Sequence, residues 1–126
     1  MTKMTRTKLV VVRTNAKHAR PKRLTDDELV EMIEEATVDA YGPSEQVSGF
    51  YTMLEEHLDL PFSTQVLGVD VVVERIDLTG SDEIVAICNR GPFHQTIPIL
   101  NLPLPSPAPE GAAWIEAYRH WTSGGL

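Results

Sequence analysis

Apolar residues recur at helical spacing in two neighbouring stretches between residues 24 and 60. Thr25 and Glu28 stand three positions apart, the spacing of a capping box, which predicts the start of a first helix. Gly42 and Pro43 predict its end. The apolar stripe of this helix is predicted to comprise Leu29, Met32, Ile33, Ala36 and Ala40.

A second helix is predicted to begin at Ser44, a residue type that caps helix N-termini, and to end before Pro61. Because the connection between the two helices is short, the pattern predicts an αα-hairpin over residues 24–60. The second apolar stripe comprises Val47, Phe50, Tyr51, Leu54 and Leu58.

The β-rich segment 62–100 predicts short antiparallel strands joined by tight turns, as a meander or a small SH3-like barrel. Residues 101–109, NLPLPSPAP, are predicted to form an extended connector whose leucines pack inward; a partner-binding proline motif is the alternative. The candidate strands are 66–67, 69–73, 84–88 and 95–100.

A final helix is predicted over residues 110–121. Trp114, Ala117, Tyr118 and Trp121 share one face of it, which favours core packing over a ligand cage. The predicted fold is therefore α+β: an N-terminal αα-hairpin packed on a small antiparallel SH3-like barrel or meander, with a C-terminal helix.

Charge divides the chain into two unequal parts. Residues 1–23 hold eight basic residues and no acid, whereas residues 24–126 hold all 18 acids and three arginines. The two parts carry +8 and −15 within the overall charge of −7. We expect a basic, largely disordered arm followed by a single acidic domain. A body of this charge attracts cations and repels nucleic acid.

Several classes of protein are disfavoured by the sequence. No apolar run approaches the roughly 20 residues that a membrane-spanning helix needs, and no secretory signal is apparent, so we expect a cytoplasmic protein without a membrane partner. The single Cys88 lies in an apolar run and is expected to be a buried, inert thiol. Since neither a zinc-ligand pattern nor a nucleophile elbow is present, we expect no enzymatic activity.

Acidic residues are concentrated at the predicted junction of the two helices. Asp39 is expected in the last turn of the first helix, Glu35 one turn before it, and Glu45 across the connection. Calcium takes six to eight oxygen ligands, and carbonyl groups at a helix C-terminus can add to such carboxylates. This pattern raises the hypothesis of a calcium site with Asp39, Glu45, Glu35 and carbonyl groups near Tyr41. The alternative is that these acids only solvate the surface.

Neither acidic loop fits the EF-hand template. A loop starting at Asp39 would place Phe50 at the twelfth position, and one starting at Asp77 would place Cys88 there. A hairpin turn is the favoured role of residues 77–83, with a weak second cation site as the alternative. Its oxygen donors would be Asp77, Thr79, Ser81 and Glu83.

Residues 39–62, DAYGPSEQVSGFYTMLEEHLDLPF, carry a run of the form D-A-Y, E-Q, G-F-Y and L-E that resembles the cyanobacterial-type calcium-binding protein family, CcbP. The resemblance is looser over residues 63–121. It implies a calcium buffer or signalling module with a helical part beside an SH3-like part. It also implies that Asp39 is the principal ligand, while Glu45 and Glu55 match other acids of the motif. Where family members often have more acids, this chain has Pro43 and Ser44, which should weaken binding.

The leading hypothesis is thus a soluble calcium-binding protein. The alternative is an interaction module that would bind a protein or a nucleic acid through its SH3-like part and its basic arm. The acidic body disfavours nucleic acid, and the sequence suggests no particular protein partner. The candidate ligands of Ca²⁺ are Asp39, Glu45, Glu35 and Glu55.

Overall fold

The computed structural model describes residues 24–124, which form three helices and a four-stranded antiparallel sheet. The predicted α+β class is thereby confirmed. The predicted basic arm, residues 1–23, and residues 125–126 lie outside the described residues. The elements are α1 (Asp26–Thr37), α2 (Pro43–His57), β1 (Phe62–Val66), β2 (Val69–Leu78), β3 (Ile84–Arg90), β4 (Phe93–Pro98), a 3₁₀ turn (Ile99–Asn101) and α3 (Ala113–Thr122).

Helix α1 begins as predicted and ends earlier than predicted. The Thr25 hydroxyl accepts a hydrogen bond from the Glu28 N–H at 3.1 Å, and the Glu28 carboxylate accepts one from the Thr25 N–H at 2.9 Å. The helix stops at Thr37, so the expectation that it extends to Ala40, with Asp39 in its last turn, was wrong. Thr37 and the next residue, Val38, are both β-branched, which disfavours helix relative to extended backbone.

Helix α2 also starts differently from the prediction. Gly42 is its N-cap and Pro43 its first residue, so Ser44 is not the cap. Proline is well suited to this position because the first N–H of a helix has no intrahelical partner and the φ of proline is already helical. As a result, the Ser44 side chain is available for another contact.

The two helices lie very close together at Gly49. A β-carbon at this position would overlap the backbone oxygen of Ala36 in α1. Glycine therefore permits an approach of α1 and α2 that no other residue would allow. Helix α3 packs against both, and α2 rests on β2.

The sheet is an open meander with the strand order β1-β2-β3-β4. Because the edge strands β1 and β4 do not pair with each other, the barrel that was considered as an alternative is not formed by the described residues. A β-bulge interrupts the β2–β3 register between Val73 and Arg75. Leu67, predicted to be in a strand, lies in the β1–β2 turn with φ 52° and is 97% exposed.

One core joins the helices to the sheet, and it includes Phe50 and Leu54 from α2 with Cys88 from β3. The burial predicted for Cys88 is confirmed, as is core packing for the α3 stripe. The connector after the 3₁₀ turn passes β1, where the Pro103 carbonyl accepts a 2.7 Å hydrogen bond from the Thr64 hydroxyl. In residues 24–124 no helix is long and apolar enough to span a membrane.

Candidate metal centre

The turn between α1 and α2, residues 38–42, is closed by a carboxylate. The Glu45 side chain accepts a 2.9 Å hydrogen bond from the Tyr41 N–H, and the Ala40 N–H donates to the Thr37 carbonyl at 3.0 Å. Asp39 adopts a left-handed conformation, with φ 65°, which aspartate tolerates better than most residues. Both acids are exposed. Asp39 thus lies in the turn that the Glu45 side chain closes.

A second acidic turn lies against this unit. The Ser44 hydroxyl donates a 3.1 Å hydrogen bond to the Asp82 carboxylate, across 38 positions in the chain. Asp82 belongs to the β2–β3 turn and has φ 63°, so it too is left-handed. The contact brings the start of α2 and the β2–β3 turn together, with Glu45 immediately following Ser44.

The β2–β3 turn is organised by Thr79. Its hydroxyl accepts from the N–H groups of Ser81 and Glu83 at 3.3 and 3.1 Å, and its carbonyl accepts from the Asp82 N–H at 3.0 Å. The favoured role of this segment, a hairpin turn between two strands, is confirmed. Since these bonds fix the backbone, the Asp82 side chain is presented outward to Ser44.

The other two predicted ligands lie elsewhere on the helices. Glu35 is exposed in the last turn of α1, just before the 38–42 turn. Glu55 accepts a 2.9 Å hydrogen bond from the Tyr51 hydroxyl. It lies ten residues beyond Glu45 in α2, which corresponds to about 15 Å along the helix axis. The structure therefore places Glu45 and Asp39 at one turn and Glu55 well away from it.

The oxygen donors at the two turns match the chemistry of calcium without forming a finished site. Carboxylate and hydroxyl oxygens are the ligands that this hard cation prefers. Among residues 24–124, however, no group of three or more His, Cys, Asp or Glu side chains converges to hold a metal ion. The donor set fits calcium in kind, and the exposed carboxylates would have to be drawn together around the ion.

The excess of acids in the body of the chain favours a cation. Acids outnumber arginines 18 to 3 in the body of the chain, and none of those arginines belongs to either turn. Partial burial together with the Glu55 hydrogen bond raises the pKa of Tyr51 to about 12. Burial, with the charge of Glu83, also raises the pKa of Tyr118. Burial is the larger cause of both shifts, and the neighbouring acids add to it.

Comparison with known protein families also indicates calcium binding. The family model of the CcbP type, described as calcium binding, matches residues 31–122. The chain belongs to this calcium-binding family. The match to the CcbP family includes α2, the whole sheet and both acidic turns. Searches of curated proteins and of solved structures found no significant match.

Sequence reasoning identified the first turn and overlooked the contact that joins it to the second. Ser44 was interpreted as a helix cap, and Asp82 was not among the oxygens considered for the 77–83 segment. Residues 38 positions apart have no local spacing signal, so their contact follows only from the three-dimensional arrangement. The available signal was the presence of two separate acidic turns within residues 24–126, which hold only three basic residues.

Proposed function

We propose that this CcbP-family protein binds calcium where the α1–α2 turn meets the β2–β3 turn. The observation that carries the proposal is the hydrogen bond between Ser44 and Asp82. It brings a third carboxylate-bearing residue to the turn that contains Asp39 and is closed by the Glu45 side chain. Family membership supports the choice of cation.

Each residue has a distinct role in this proposal. Asp39 and Asp82 are both exposed, and both have a left-handed backbone conformation. Each provides a carboxylate ligand from its own turn. Glu45 contributes a further carboxylate while its bond to the Tyr41 N–H keeps the turn closed. Glu35 adds negative charge from the end of α1. The bound ion supplies the positive charge that relieves repulsion among these groups.

The arrangement favours moderate affinity. Because the carboxylates do not converge beforehand, part of the binding free energy is spent on ordering exposed side chains. Pro43 and Ser44 also contribute no charge where the family motif often has acids, and ligand charge sets affinity in oxygen sites. We expect a dissociation constant on the order of 10⁻⁴ M. At this affinity the protein would act as a low-affinity buffer or signalling module, one that fills only where calcium approaches about 10⁻⁴ M and releases its ion readily.

Glu55 does not belong to this proposed site. Its side chain is about 15 Å along α2 from Glu45, and it is bonded to Tyr51. Its assignment as a ligand rests on the family motif alone and stays a prediction. The variant Glu55→Gln tests whether Glu55 is a ligand. The proposal expects this variant to bind calcium at the two turns nearly as the wild type does.

Calorimetric titration of the full chain with calcium tests the proposal. Asp39→Asn should lower the affinity by roughly tenfold or more, because it removes one ligand charge from a divalent site. Glu34→Gln is the matched control, since Glu34 is also an exposed acid beside the end of α1. If both variants titrate as the wild type does, the proposed site is wrong. If calcium produces no binding heat in any form, the proposed function itself is wrong.

A further inference from the structure

An apolar groove on the opposite end of α1 has no role in the proposed calcium site. It has a volume of about 650 Å³ and lies between the start of α1, the connector and the start of α3. Asp26 and Glu116 line it together with the apolar residues. A volume of this size accommodates several aliphatic side chains. The apolar lining includes Leu24, Leu29, Leu104, Ala108, Pro109 and Ala113.

We propose that residues 8–13 of the same chain, Lys-Leu-Val-Val-Val-Arg, occupy this groove. Leu24 is the first described residue and is itself part of the groove lining, so the preceding chain departs from the groove. Residues 14–23 connect the two parts and can span up to roughly 33 Å when extended. That reach is ample for residues 8–13 to return to the groove.

The occupant is identified by its apolar run and its charge. Leu9 to Val12 form the only run of consecutive large aliphatic residues in the first 23 positions, and they are bounded by Lys8 and Arg13. The groove offers an apolar surface with carboxylates at Asp26 and Glu116. Burial of aliphatic side chains supplies the attraction, and the flanking basic residues meet the acids.

The distribution of charge along the chain favours its own residues 8–13 as the occupant of the groove. Residues 1–23 carry +8 and the acidic body carries −15; of the two acids at the groove, Glu116 also lies 3.6 Å from Arg119. A covalently attached segment also acts at a high effective concentration, which a separate partner lacks. The groove is therefore a docking site for the amino-terminal segment, distinct from the cation-binding turns.

Disulfide trapping in the full-length chain tests this inference. Val11→Cys is combined with Ala108→Cys, at an exposed position that lines the groove, or with Gly80→Cys as the control. Gly80 has open space around it and lies in the β2–β3 turn near the far end of α1. Helix α1 has 12 residues, about 18 Å, so the control position is remote from the groove.

The measured quantity is the effective concentration of each cysteine pair in a glutathione redox buffer, read by mass spectrometry. We expect the intrachain 11–108 disulfide to form with an effective concentration at least about tenfold above that of the 11–80 pair. Cys88 is fully buried and should remain reduced. Equal values for the two pairs overturn the proposal.

Two further outcomes are decisive. Leu9→Asp introduced with the 11–108 pair should abolish the tenfold preference, because a charge replaces an aliphatic side chain meant for the groove. If the preference survives, the apolar run is not what docks. If the 11–108 disulfide forms between two molecules instead of within one, the occupant is a second copy and the intrachain proposal is wrong.

Discussion

The Ser44 hydroxyl donates a 3.1 Å hydrogen bond to the Asp82 carboxylate and thereby connects the start of α2 to the turn between β2 and β3. Ser44 is able to make this bond because the N-cap of the helix is Gly42, two residues before the expected cap, and Pro43 is its first residue. Two turns that are independent in the sequence become one acidic surface. The proposed calcium site rests on this relationship.

Replacing Asp82 by asparagine should weaken calcium binding. Asparagine can still accept the Ser44 hydrogen bond, so the main change is the loss of one negative charge beside the proposed ion. We expect the calorimetric dissociation constant to rise by roughly tenfold or more. Ser44→Ala, which keeps the charge, should have the smaller effect.

The matched control for Asp82 is Asp70→Asn. Asp70 is exposed near the β1–β2 turn and accepts a 2.9 Å hydrogen bond from the Gln65 side chain, so its local setting is similar. It lies at the other end of the sheet from Asp82. Equal losses of affinity in Asp70→Asn and Asp82→Asn would show a general charge effect and would count against the assignment of Asp82.

Gly49→Ala should destabilise the protein although it raises helix propensity. In an exposed helix this change stabilises by about 1 kcal/mol. Here the new β-carbon would overlap the Ala36 backbone oxygen, so α1 must shift away from α2. We expect a net loss of about 1–3 kcal/mol in the free energy of unfolding, measured by urea denaturation. Ser48→Ala, at the neighbouring exposed position, is the control and should be near neutral; a stabilised Gly49→Ala would contradict the close helix approach.

Alkaline pH should destabilise the fold through three groups. The folded-state pKa of Tyr51 is raised from 10.0 to about 12, and burial raises the pKa values of Cys88 and Tyr118. The folded state therefore holds these protons more tightly than the unfolded state does. Their stabilising contribution is complete below the ordinary pKa of each group, and the part from Tyr51 is lost between about pH 10 and 12.

Urea denaturation across this alkaline range measures the effect. The free energy of unfolding should begin to fall near pH 9, the ordinary pKa of the Cys88 thiol, and should continue to fall as the tyrosines of the unfolded chain ionise. Glu55→Gln should reduce the share due to Tyr51, since it removes the charge beside the phenol. A free energy that stays constant from pH 8 to about 11 would contradict these shifts.

Local sequence patterns predicted the presence of helices and strands better than the residues at which they end. The capping box at Thr25 and Glu28 was decisive because both of its hydrogen bonds form between residues three apart. The end of α1 was predicted too late because Gly42 and Pro43 resemble a stop signal, whereas the helix ends at Thr37, which is followed by a second β-branched residue, Val38. Whether the sheet closes depends on pairing between its edge strands, which alternation along one strand does not reveal.

The candidate site also shows that local sequence patterns do not reveal contacts made by the three-dimensional fold. Asp39 and Glu45 flank one turn, so their spacing and the family motif pointed to them together. Glu55 shares the motif, but the rise of α2 separates it from Glu45 by about 15 Å. Asp82 is a candidate ligand only because the folded sheet brings the β2–β3 turn into contact with Ser44. Sequence spacing therefore identifies candidate ligands within one turn and misses candidates contributed by another.

The most direct test of the central claim is a calcium titration of the ¹⁵N-labelled full-length protein followed by NMR. The account predicts that backbone amides of residues 39–45 and of residues 79–83 shift together along one binding curve, while the amide of Glu55 moves little. Shifts confined to one of the two turns, or the absence of any shift at millimolar calcium, would contradict it.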